Sequence, residues 1–85
     1  MTPSSQPART VRDLRVGVAA VLGEPTVGLT QRLRLAELGI RAGETVHVVQ
    51  RSVGGARVVS VRDSRIALDS ATARQLPVIP GAGEP

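Results

Sequence analysis

Apolar positions along the chain follow two periods. Between Leu29 and Ile40 the spacing is helical. At about 100° per residue, Leu29, Leu33, Ala36 and Ile40 share one stripe, while Leu35 and Leu38 fall nearly opposite. A surface helix with one buried side shows a single apolar stripe, so this helix is either sandwiched or leaves one stripe for a partner. The pattern predicts a helix over 31–38 with Thr30 as its N-cap. Arg34 and Glu37 stand three apart on its flank, a spacing that allows a weak pair. Gly39 stands where a helix C′ glycine takes a left-handed conformation.

Beyond Gly43 the period changes to two. Thr45–Val49 alternates as a strand with His47 on the side opposite Val46 and Val48. Ser52-Val53-Gly54-Gly55 carries the glycines of a hairpin loop, 57–61 reads as the return strand, and Arg62-Asp63-Ser64 as a second turn. A short strand follows over 65–68, then a helical turn capped by Asp69 or Ser70. Leu76–Ile79 reads as a closing strand, which Pro77 confines to an edge or to a strand start. Ahead of the helix, Gly17 marks a turn, 18–22 is continuously apolar as in a strand buried on both faces, and Gly23-Glu24-Pro25 ends it. Five short strands and one real helix predict a mainly β fold, a small barrel. Residues 1–10 read as a disordered lead, 11–79 as the domain and 80–85 as a frayed tail. There is no internal repeat.

Composition changes this picture in two ways. The 85 residues include no Phe, Trp or Tyr, so the core must be built from Val, Leu, Ile and Ala. The same absence removes the stacking platforms used by single-strand nucleic-acid binders. There is also no cysteine, hence no disulfide and no thiolate metal site. No apolar run is long enough to span a bilayer, and the N-terminus has no signal-like apolar core. The net charge of +4 rests on eleven arginines. They are scattered singly from Arg9 to Arg74, which does not make a dedicated nucleic-acid patch.

Catalytic chemistry finds no constellation. No serine has a base near it in sequence. Gly54-Gly55 lacks the Lys-Ser/Thr and the following helix of a phosphate loop. His47 is the only histidine and the only candidate metal ligand of its kind, with no convergent partners in the sequence. Glu37 and Glu44 read as surface charges.

One run gathers these features: Arg32, Leu35, Leu38, Gly39, Ile40 and Gly43, after Leu14 and Gly17 and before Gly54-Gly55, Ile66-Ala67-Leu68, Ala73, Leu76 and Val78. In order and spacing this resembles the FeoA family of small bacterial proteins tied to ferrous-iron transport, over nearly the whole ordered body. Two positions depart from the family pattern: Ala56, where a proline is expected, and the polar stretch 69–72, where basic residues are more usual. The resemblance implies an SH3-like barrel with a helix inserted after the first strand, and no catalysis. It implies a cytoplasmic adaptor for a GTP-dependent ferrous-iron membrane transporter (FeoB type), with no tightly bound cofactor and at most transient ferrous iron or another divalent metal. It also assigns Leu35 and Leu38 to the core, and the barrel is expected to bury Val46, Val48, Val59, Val61, Ile66 and Leu68 with them. Leu29 and Leu33, beside Arg32, are left as an apolar contact surface for the transporter or for a second copy of the chain. Two other readings compete: a nucleic-acid-binding small barrel, and a metal-responsive regulatory domain acting by dimerisation, as related domains at the ends of metal-dependent repressors suggest.

Overall fold

The computed structural model describes residues 9–79. Its regular elements are β1 (Ala19–Val21), α1 (Leu29–Glu37), β2 (Thr45–Arg51), β3 (Arg57–Val61), β4 (Ser64–Leu68) and α2 (Ser70–Arg74), with single 3-10 turns at Val11–Asp13 and Val53–Gly55. The strands form one antiparallel sheet in the order β1-β2-β3-β4. Most of the expected lead and tail lies outside the described residues. Thr10, at the inner end of that lead, is bridged to Pro77.

Alternation drives the sheet as the pattern predicts. Val46 and Val48 of β2, and Val59 and Val61 of β3, are buried, with Thr45 and His47 outside. Val49 is an extra residue in β2, a bulge that shifts the register between Val48 and Gln50. β1 is shorter than expected and is not buried on both faces: Ala20 and Leu22 are buried, Ala19 and Val21 only half so.

The expected fifth strand is reduced to bridges. Leu76–Ile79 is laced on both sides, through Val11 N–H to Leu76 O (3.0 Å) and Val78 N–H to Arg9 O (3.0 Å), and through Gly23 N–H to Pro77 O (2.8 Å) and Ile79 N–H to Val21 O (2.9 Å). Pro77 is therefore not at an edge. It has neighbours on both sides but no N–H to give, and the ladder breaks into single bridges, Thr10 to Pro77 and Leu22 to Val78.

Helix α1 begins earlier than its sequence suggests. Gly28, not Thr30, is the N-cap, and no side chain caps it. Its end follows the glycine rule. Gly39 has φ +92, Ile40 N–H reaches Leu35 O (2.8 Å) and Gly39 N–H reaches Ala36 O (3.0 Å). This is the paired closure of a Schellman motif, with Ile40 and Leu35 as its apolar pair. Both are buried.

The same turn corrects two expectations. Ile40 lies outside the helical wheel, because the chain has left the helix when it reaches that residue, and it drops into the core at 0% exposure. Leu38, expected in the core, is 51% exposed. As the C-cap it sits at the mouth of the turn while Leu35 and Ile40 take the interior. Ile66 is only half-buried, packed against the core from β4. The expected Arg34–Glu37 pair does not form; the ion pair on this helix joins Arg32 to Glu24 (3.7 Å).

The core is wholly aliphatic: Val11, Leu14, Ala20, Leu22, Leu35, Ile40, Val46, Val48, Val59, Val61, Leu68, Ala73, Leu76 and Val78. Leu35→Ala should cost about 2–5 kcal/mol in urea unfolding, whereas Leu38→Ala should stay within about 1 kcal/mol. Equal losses would place both side chains in one core. At Gly39 a Cβ would meet only Val61 Cγ1, at 3.5 Å, so space is adequate and the backbone decides. Gly39→Val should cost about 1–2 kcal/mol or more in the same assay, and a neutral result would contradict the left-handed turn.

Candidate functional site

Helix α1 presents two exposed leucines on one side. Leu29 is 69% and Leu33 57% exposed, four apart and hence one turn apart on a common side. Arg32 flanks them and is held loosely to Glu24 in an exposed pair of small worth. The three residues singled out from sequence therefore share one solvent-facing patch. Leu35 and Leu38 lie on the other side of the helix, the first buried and the second lining a groove with Ile66 and Leu68.

His47 stands exposed in mid-β2, with Ala19 and Ser60 as its cross-strand neighbours. Neither offers a carboxylate or an imidazole. Among the described residues no group of three His, Cys, Asp or Glu is placed to hold a metal.

Sequence reasoning missed Arg57. It is 4% exposed, although a strand alternating with Val59 and Val61 already places it on the inner face. Its guanidinium donates to the carbonyls of Ala56 (3.0 Å) and Arg12 (2.8 Å), tying β3 to the Val11–Asp13 turn, while its Nε has no partner. Burial first, then Arg51 and Arg12, weaken its hold on the proton. Arg51 lies directly opposite in the ladder, a repulsive pairing. Arg12 Nε in turn donates to Ser70 Oγ (3.0 Å), which fastens the same turn to α2. Gly55 packs so tightly there that a Cβ would fall 2.7 Å from Ser70 Oγ.

The carboxylates are mostly occupied by local work. Asp69 caps α2, accepting from Thr72 N–H at 2.7 Å. That bond holds its pKa below the usual 3.8. Glu44 is held below 4.5 first by the Arg62 guanidinium, which meets it at 3.0 and 3.3 Å. Burial pushes Asp13 up, but bonds from the Thr10 and Arg9 N–H groups pull it net down.

The described residues form a small antiparallel β domain with exposed leucines on its longer helix. A sequence profile of the FeoA domain matches residues 10–80, and the chain belongs to that family. Its fold is SH3-like, like that of the FeoA of Stenotrophomonas maltophilia, a prokaryotic SH3 domain protein solved as its zinc complex. That structure is 28% identical, with 85% of this chain and 91% of that one covered at a TM-score of 0.71. An iron uptake regulatory protein (FeoA) crystal structure superposes with a TM-score of 0.73 at 22% identity, covering 80% and 91%. A manganese-dependent transcriptional repressor matches at 0.72 and 22%, over 89% of this chain but 44% of its own. No curated protein sequence matches the chain significantly.

The three lowered carboxylates fix an acid response. Each contributes stability that is present above its unfolded-state pKa and is lost as pH falls through its folded-state pKa. Tm should therefore fall from about pH 5 downward, and Asp69→Asn and Asp13→Asn should each lower Tm at neutral pH yet lose less between pH 7 and pH 3 than the parent protein. Parallel acid limbs in all three proteins would rule the assignment out.

Proposed function

We propose that this chain is a FeoA-type accessory protein. It supports ferrous-iron uptake by docking on the cytoplasmic part of a GTP-dependent, FeoB-type ferrous-iron transporter. Family membership supports the link to iron transport. The observation that carries the mode of action is the patch of Leu29, Arg32 and Leu33. Two large aliphatic side chains more than half exposed on one helix side, beside an arginine, match the composition of interface centres. The ferrous ion is the transporter's cargo in this reading and needs no site on the accessory protein. Self-association through the same patch is the competing use of it.

Nothing in the fold favours nucleic acid. The chain carries no aromatic side chain, and three of its arginines are in ion pairs with Glu24 or Glu44.

Leu33→Asp should leave the circular dichroism spectrum and Tm nearly unchanged, because the side chain is exposed. It should abolish co-purification with the transporter's soluble part and iron-limited growth support. Loss of self-association alone, by sedimentation, would assign the patch to a homo-oligomer. Unfolding would make the stripe core, and wild-type behaviour in every assay would make it idle surface.

A further inference from the structure

Between α1 and β4 runs an open groove of about 470 Å³, on the opposite side of the helix from Leu29 and Leu33. Its helix wall is Thr30, Gln31, Arg34, Leu35 and Leu38, and its strand wall is Ile66, Ala67, Leu68 and Asp69. Successive strand residues point to opposite faces of a sheet. A cavity touching four residues in a row therefore fronts the edge of β4 itself rather than one of its faces.

That edge is unpaired. β4 ends the sheet order, and no backbone bond from a described residue reaches its outer side. Val61 and Ser64 close a two-residue turn as a ladder pair. By antiparallel alternation Arg65 and Ala67 then aim their N–H and C=O groups away from β3. An exposed strand edge of this kind is a ready template for another strand.

The groove also has a chemical preference. Its floor is apolar, from Leu35, Leu38, Ile66 and Leu68. Arg34 on one wall and Arg65 on the other side of the edge carry no ion pair or hydrogen bond among the described residues. The one carboxylate in the lining, Asp69, is already engaged by Thr72 N–H. Among the residues that line the groove, the unsatisfied charge is thus positive. A second copy would have to bring β3 along with its own β4, a bulkier occupant for the slot than a single strand. The strand wall from Ile66 to Asp69 spans about 10 Å at ~3.3 Å per residue, the length of a short extended segment.

We infer that this groove docks an extended segment of another protein, alternating apolar and acidic residues, which adds to β4 as a further strand. The backbone groups of Arg65 and Ala67 pair with it, the leucines and Ile66 take its apolar side chains, and Arg34 and Arg65 meet its carboxylates. The slot is separate from the Leu29–Leu33 patch, so the two assignments stand or fall independently.

The test uses the full chain and a labelled hexapeptide of alternating Glu and Val, capped at both ends, followed by fluorescence anisotropy. Saturable binding is expected. Replacing Glu by Lys in the probe, or Arg34→Glu in the protein, should weaken it at least about tenfold. Methylating the probe's backbone nitrogens that face β4 should do the same without touching the protein. Ala67→Pro should remove a docking donor while preserving the fold, since that N–H lies outside the ladder. Leu33→Asp should leave the affinity unchanged. The inference is overturned by no binding at millimolar probe, by equal binding of the lysine peptide, by indifference to N-methylation, or by self-association that Leu38→Asp abolishes.

Discussion

One change of backbone hand, at Gly39, decides which side of α1 belongs to the core. With φ at +92 the chain turns back so that Ile40, one residue past the turn, fills the space that a longer helix would have closed with Leu38. Leu35 and Ile40 then anchor the helix by its C-terminal end. The rest of α1 is left standing against solvent: Leu29 and Leu33 on one side, the groove on the other. The exposed leucines and the groove therefore lie on opposite sides of one helix.

Much of this was legible in the residues. Alternation over 45–49 and 57–61 placed Val46, Val48, Val59 and Val61 inward, and the glycine after Leu38 announced the end of the helix. The opposed stripes placed Leu29 and Leu33 away from Leu35. The failures share a physical cause, which is that a wheel or a period describes a residue only while the chain keeps that geometry. Ile40 was assigned by helical angle although the left-handed turn had ended the helix, and Leu38 was assigned by family position although a C-cap side chain projects over the turn. Pro77, expected at an edge or at a strand start, lies inside a seam with neighbours on both sides. Arg57 falls on the inner face by the strand period, although its charge argues for solvent.

Arg57 also shows how a domain without aromatic rings finishes its core. A long arginine stem beside Val59 fills volume that a ring would fill elsewhere, and its head is turned onto two carbonyls rather than a carboxylate. Breaking such an arrangement by removing one side leaves a buried charge unsatisfied, so the Val11–Asp13 turn, β3 and α2 are bound into one unit through Arg12, Arg57 and Ser70.

The seam at Thr10 and Pro77 has an architectural consequence. The two ends of the body leave from neighbouring positions, separated by about one strand spacing, ~5 Å. A host chain can therefore carry such a body as a pendant without prising its own ends apart. The same fold makes up less than half of a repressor chain, and ends that lie side by side suit a body of this kind to such a setting.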